Sequence, residues 1–162
     1  MLAAVALDEL LQLWLPADRL TIKWPNDLLV GGAKISGILL EAAGDAVVVG
    51  IGVNLAHHPD LPDRIVTSVA AEGAAPPAPA DVIVDLADTF ARWLGRWRGE
   101  GLAPILARWQ ARAHPIGTAL SVREGDNAID GLYDGLDADG ALRLRGADGS
   151  VQIIRAGDVF LL

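Results

Sequence analysis

The spacing of hydrophobic and polar positions changes several times along the chain, and each change marks an element. Residues 1–15, MLAAVALDELLQLWL, are apolar apart from Asp8, Glu9 and Gln12 and read as an amphipathic helix ending near Pro16. LTIKW (20–24) alternates like a strand. Pro25-Asn26-Asp27 is a turn, because proline pre-sets φ and holds Trp24 extended while Asn and Asp tolerate tight backbone. Leu28–Val30 and Ala33–Glu41 then read as the arms of a hairpin closed by Gly31-Gly32. AVVVGIGVNL (46–55) is an almost unbroken apolar run, the pattern of a strand buried on both faces.

Beyond it, HHPDLPDR (57–64) is loop and AAEGAAPPAPA (70–80) an Ala/Pro-rich connector with little to pack. Val82, Leu86, Phe90, Trp93 and Trp97 recur at three- and four-residue spacing, with Arg92, Arg96 and Arg98 off that stripe. This predicts an amphipathic helix, and Gly99 and Gly101 suit its end. A shorter helix follows over Leu102–Arg112, and Trp93, Trp97 and Trp109 read as core packing. From Pro115 the pattern is purely β: TALSVRE, AIDGLYDGL, ALRLR and VQIIR are short strands, with Asp139-Gly140 and Asp148-Gly149 as turns. That tail predicts a small SH3-like barrel. The division is therefore 1–113 and 114–162, with His114 at the junction.

Composition narrows the classes of function. With 52% apolar and 21% charged residues, the 162-residue chain has material for a real core. The absence of cysteine excludes a disulfide scaffold, a Cys-ligated metal centre and thiol catalysis. A net charge of −8 argues against nucleic acid as partner. The longest stretch without Asp, Glu, Lys or Arg, residues 46–59, is too short to cross a bilayer, and no membrane partner is expected. The start has no basic region and carries Asp8 and Glu9, unlike a signal peptide, so a cytoplasmic location is expected. Among the 13 basic residues only Lys23 and Lys34 are lysines, and they lie close together in a glycine-rich stretch. Lysine suits a site that needs a compact point charge on a flexible stem, which draws attention to this stretch.

Familiar motifs fail there on context. Gly50-Ile51-Gly52 follows a strand, but Leu55 stands at the third glycine position and His57-His58-Pro59 follows instead of a helix, so it is no dinucleotide fingerprint. Gly31-Gly32-Ala33-Lys34 lacks the glycine that directly precedes a Walker lysine. None of Ser36, Ser68, Ser121 and Ser150 sits in a nucleophile elbow. His57 and His58 have no further ligand at useful spacing and read as solvated loop. Three segments remain: KWPND (23–27), KISGILLE (34–41) and VGIGVNL (49–55). The first presents an amide and a carboxylate at a strand end, the second an ammonium close to a glycine, the third small and polar groups where apolar packing stops. Such groups at neighbouring strand ends can form an anion-stabilising pocket; the alternative is a merely well-turned sheet.

In order and spacing, these three segments, two helices and a small β domain closely resemble the biotin–protein ligases (biotin–[acetyl-CoA-carboxylase] ligases), over essentially the whole chain. The resemblance implies an α/β fold (an α+β mixed sheet, part of a class II synthetase-like, lipoate-ligase-like catalytic domain) followed by a small SH3-like β-barrel. It implies a two-step reaction, in which biotin and Mg-ATP give biotinyl-5′-AMP and a lysine of biotin carboxyl carrier protein then takes the biotin. Lys34 matches the catalytic lysine that also contacts biotin and phosphate. Gly37 and Ile38 match backbone lining the biotin pocket. Asn26 and Asp27 match the polar pair at the nucleotide or its metal, and Gly52 and Asn54 match the nucleotide side. No direct metal ligation by protein is expected, with Asp27 the alternative. Trp24 reads equally as core and Lys23 equally as a surface charge. The partners implied are biotin, ATP with Mg2+, and the carrier protein of acetyl-CoA carboxylase, with a homodimer left open; the acidic barrel face reads as solvated, with carrier choice as its alternative.

The chain departs from the family in one large respect. The Gly/Arg-rich, GRGRRGRxW-like segment that binds biotin and adenylate in family members has no counterpart among these residues, nor does the DNA-binding helix-turn-helix of the repressor-type members. Two functions stay open: an enzyme whose remaining catalytic segment lies outside this sequence, and a non-catalytic remnant that binds carrier protein or nucleotide. Little ligase activity is expected of these 162 residues alone.

Overall fold

The structure, a computed structural model, describes every residue except Asp63 and Asp126, and Glu124 by its backbone alone. The opening helix, α1 (Leu2–Leu11), differs from the expected amphipathic helix. Ala3 to Asp8, Leu10 and Leu11 are all buried, so α1 runs through the core instead of lying on its surface. It also stops before Pro16. The amides of Leu13 and Trp14 bond back to the carbonyls of Leu10 and Leu11, three residues earlier, which tightens the last turn and ends the helix. Asp8, polar by sequence, is fully enclosed and paired: Arg112 Nε lies 3.1 and 3.0 Å from its two oxygens, Arg108 Nη2 3.2 Å and Gln12 Nε2 2.8 Å from Oδ2. Burial pushes this carboxyl up, and the two guanidiniums and the Gln12 amide oppose it.

β1 (Leu20–Lys23), β2 (Asp27–Val30), β3 (Ala33–Ala43) and β4 (Ala46–Val53) form an antiparallel sheet in chain order. Gly31 and Gly32 close the β2–β3 hairpin with φ of 56° and 88°, the left-handed pair that a two-residue turn requires. β4 departs from the expected strand buried on both faces. β2 pairs with β3 only as far as Gly37, so from there β3 and β4 run on as a two-stranded ribbon beyond the core. Leu39, Leu40, Val47 and Val48 are exposed on it, while Ile38 of β3 joins the core and Val49, Ile51 and Val53 of β4 pack against it.

α2 (Pro79–Glu100) starts inside the Ala/Pro connector, with Pro79 in its first turn, and ends at Gly101, whose φ is 79°. Glu9 of α1 holds it through Arg92 Nη2 and Trp93 Nε1, both at 2.8 Å. α3 (Ala103–Ala111) follows. Trp93 and Trp109 are core residues, but Trp97 is half-exposed near the helix end, contrary to its expected burial. No helix among the described residues is long and apolar enough to cross a membrane.

β5 (Ala119–Glu124), β6 (Asn127–Leu136), β7 (Leu142–Arg145), β8 (Val151–Ile154) and β9 (Asp158–Leu161) form a second antiparallel sheet, ordered β8-β7-β6-β5-β9. It shares one apolar core with the first: Ile22, Trp24 and Trp109 belong to the same cluster as Leu120, Tyr133, Leu142 and Val159. Trp24 Nε1 donates to Gly140 O at 3.2 Å, and Leu136 N to Gln110 Oε1 at 3.3 Å. The KWPND turn is thereby fastened to the barrel.

His114 sits at this junction, where burial and the nearby Lys23 ammonium push its pKa down. The unfolded chain takes up this proton near pH 6.5, as free histidine does, while the folded chain resists until lower pH. The stability tied to neutral His114 is therefore complete above about pH 6.5 and falls as the pH drops below it. Urea unfolding at pH 7.5 and 5.5 should show this loss, and His114→Gln should reduce the difference.

Candidate active site

The register of the first sheet assembles the site. Lys23 pairs with Asp27, Asp27 with Gly37 and Gly37 with Gly52, so these four residues form one row across all four strands. Directly opposed residues share a face of the sheet. That face therefore presents an ammonium, a carboxylate and then two positions of bare backbone. One step further, Leu39 is paired with a third glycine, Gly50.

Lys34 joins this row from a neighbouring position, through an irregularity in the β2–β3 pairing between Leu28 and Leu29. Its Nζ lies 2.5 Å from Asp27 Oδ1, while Lys23 Nζ is 3.4 Å from Asp27 Oδ2. Two cations thus share one carboxylate, and the cluster keeps a net positive charge. The Lys34 backbone is pinned on both sides: its N–H donates to Ile65 O and its carbonyl accepts from Thr67 N, each at 2.9 Å. A rigid anchor with a flexible stem lets the ammonium meet an anion without moving the strand.

The two asparagines act first as braces. Asn26 Nδ2 donates to Ile38 O at 2.6 Å, and Ile38 N returns a bond to Asn26 O at 3.0 Å. Asn54 Nδ2 donates to Thr67 O at 2.9 Å, and its backbone N–H bonds Ile35 O at 3.0 Å. Each amide uses one of its two N–H donors in this way, which leaves the second donor and the side-chain oxygen for other partners. Ile38 packs its side chain into the core, and its backbone is bonded to Asn26 through both its N–H and its carbonyl.

A cleft of about 440 Å³ opens beside the charged cluster. Lys23, Asn26, Asp27 and Lys34 line one wall. Gly37, Ile38, Gly52 and Asn54 lie outside the cleft, and the row places Gly37 and Gly52 on the far side of the Lys34–Asp27 pair. Arg64 and Ile65, which adjoins Lys34, and Asp158–Leu161 of β9 also line the cleft. Sequence reasoning missed these wall residues, because β9 reaches the cleft only through barrel packing and no local motif marks it. Trp24 is core, and Lys23 lines the cleft and pairs with Asp27. His57 and His58 lie exposed in their loop.

A charged turn beside a glycine-bearing sheet face, with an antiparallel barrel appended, is the arrangement that comparison with known protein families places in a ligase class. Residues 1–111 match the biotin/lipoate A/B protein ligase family, and residues 116–162 match the biotin protein ligase C-terminal domain. The chain belongs to the biotin protein ligase family. It is 42% identical to the biotin–[acetyl-CoA-carboxylase] ligase of Paracoccus denitrificans, over 98% of this chain and 70% of that protein. It is 34% identical to the bifunctional ligase/repressor BirA of Escherichia coli, over 91% of this chain but only 48% of that protein. Among solved structures, the apo biotin protein ligase of Aquifex aeolicus superimposes with a TM-score of 0.84 at 19% identity, covering 99% of this chain and 73% of that one. The Aquifex enzyme in complex with biotin and ATP gives 0.79 at 20% identity, covering 99% and 68%.

Proposed function

We propose that this chain carries the activating part of a site that joins biotin to a lysine of biotin carboxyl carrier protein, through biotinyl-5′-AMP. The observation that supports this most is the Lys34 ammonium, held by Asp27 beside a backbone floor of glycine. In the first step a biotin carboxylate oxygen attacks the α-phosphorus of ATP, an anhydride bond forms and pyrophosphate leaves. In the second, the neutral ε-amine of the carrier lysine attacks the biotinyl carbonyl, the amide forms and AMP leaves. Negative charge grows on phosphate and carboxyl oxygens in both transition states, so a fixed ammonium stabilises them more than it stabilises bound substrates.

Lys34 supplies that ammonium. Gly37 and the Ile38 backbone line the biotin side. Asn26, Asp27, Gly52 and Asn54 serve the nucleotide side, with Asp27 acting mainly by holding Lys34 and Lys23. Mg2+ enters with ATP, and the Asp27 carboxylate, which two ammoniums share, is the alternative protein ligand. The reading is tested by biotin-dependent ATP–pyrophosphate exchange. These 162 residues alone are expected to show little exchange, and the same residues joined to the N-terminal segment of the Paracoccus relative should show it. Absence of exchange from a folded, joined polypeptide would count against the enzyme and favour a carrier- or nucleotide-binding module.

Gly37 allows a finer test in the joined polypeptide. A Cβ there would lie 3.2 Å from Lys34 Nζ and 3.3 Å from Cε, so Gly37→Ala must push the ammonium aside. Displaced catalytic groups lose rate steeply, and a drop of about tenfold in exchange is expected with the melting temperature nearly unchanged.

A further inference from the structure

Four buried side-chain polar atoms among the described residues have no protein hydrogen-bond partner, and three of them belong to residues that line the same small cavity. They are Trp109 Nε1, His114 Nε2 and Tyr133 Oη; the fourth, Ser36 Oγ, lies elsewhere on β3. Trp109, His114 and Tyr133 line a single small cavity between α3 and the barrel, walled otherwise by apolar groups such as Ile22, Leu120 and Leu142, and by the stems of Lys23 and Trp24. Its volume is about 10 Å³, close to what one water molecule requires. Buried polar groups are nearly always satisfied, and three orphans on residues that line one water-sized space can be satisfied by a single shared partner.

We propose that this cavity is a binding site for one ordered water molecule, which bridges Trp109 Nε1, His114 Nε2 and Tyr133 Oη and so ties α3, the junction and the barrel together behind the KWPND turn.

The donors and acceptors close. The indole N–H only donates, so the water accepts from Trp109. Neutral His114 with its proton on Nδ1 offers Nε2 as acceptor, and the water donates one hydrogen there. Its second hydrogen goes to Tyr133 Oη, or the phenol donates to the water's other lone pair. The environment agrees with both protonation states: burial holds His114 below its usual pKa and pushes Tyr133 up to about 12. Because Lys23 and Trp24 form part of the wall, the water sits on the reverse side of the turn that carries Asp27, and backs it where Trp24 Nε1 already bonds Gly140 O.

The test uses the whole chain, labelled with 15N, at neutral pH. The Trp109 indole proton should show a cross-peak to a long-lived water, with the sign of a slowly exchanging molecule, and the His114 side-chain nitrogens should report Nδ1 protonated and Nε2 free of a proton. A crystal structure at high resolution should place one density peak within 3.2 Å of the three atoms, a distance at the limit of ordinary hydrogen bonds. No water cross-peak together with a direct Trp109–His114 or Trp109–Tyr133 hydrogen bond would overturn the proposal, as would Nε2 protonated at neutral pH. Neither readout requires a variant, so a folding failure cannot mask the answer.

Discussion

Lys34→Ala, in a polypeptide that joins this chain to the N-terminal segment of the Paracoccus relative, is expected to lower biotin-dependent ATP–pyrophosphate exchange by about 10²–10³-fold, the usual cost of losing one preorganised donor to a developing anion. The loss should fall on turnover more than on KM, because the ammonium is worth most when charge has built up on the phosphate. The fold should survive. Lys34 lies at the rim of the cleft, and its backbone bonds to Ile65 and Thr67 do not depend on the side chain. Removing it leaves Asp27 paired with Lys23 alone, at 3.4 Å, so the carboxylate is not stranded. Lys34→Arg should restore little, since a planar guanidinium cannot reproduce a point charge on a flexible stem. Exchange at the parental rate in Lys34→Ala would show that another group carries the charge.

The second large effect lies far from the cleft. Asp8→Ala is expected to destabilise the folded chain by about 3 kcal/mol, measured as a lowered urea midpoint at unchanged m-value. Asp8 is fully enclosed, and Arg112 and Arg108 turn inward to meet it. Deleting the carboxylate leaves the Arg112 guanidinium, itself largely buried, without its counter-charge, and this penalty exceeds the lost pairing energy. Arg112 also donates Nη2 to Ala17 O at 2.5 Å and to Leu20 O at 3.2 Å, so the same cation fixes the start of β1. Ile22 N bonds Arg112 O at 2.8 Å on the same segment. Loosening this node should therefore reach the KWPND turn as well. Asp8→Leu combined with Arg112→Leu should recover part of the loss, because it removes the more buried pair and leaves only the more exposed Arg108, with the Ala17 and Leu20 carbonyls, without a partner.

Local chemistry made much of this architecture legible. The hairpin around Gly31-Gly32, the helix containing Trp93, the shorter helix after Gly101 and the strands after Pro115 all follow from short-range rules. Periodicity and turn residues act over a few positions and leave their mark in the sequence. The errors share a different cause. The run AVVVGIGVNL looked like a strand buried on both faces, yet its outer half lies exposed on a ribbon, because burial depends on what covers a strand and not on its own composition. Asp8 looked like the polar mark of an amphipathic surface, but it accepts two arginines a hundred residues away in sequence. Trp97 kept the helical spacing and still fell beyond the packed surface.

The site divides along the same line. Local features of the sequence, a rare lysine, a tight turn and glycines at strand ends, drew attention to residues 23–27, 34–41 and 49–55, and the resemblance to the biotin–protein ligases supplied Lys34, Asn26, Asp27, Gly37, Ile38, Gly52 and Asn54 as candidate site residues. The sequence determined the element order, the charge class and the family. Only the tertiary structure decided that Lys23, Asp27, Gly37 and Gly52 stand in one row, that Asp27 is shared by two ammoniums, and that Asp158–Leu161 of the barrel line the same cleft. Register and domain packing arise from contacts between residues distant along the chain, and such contacts carry no periodic signal for a local pattern to reveal.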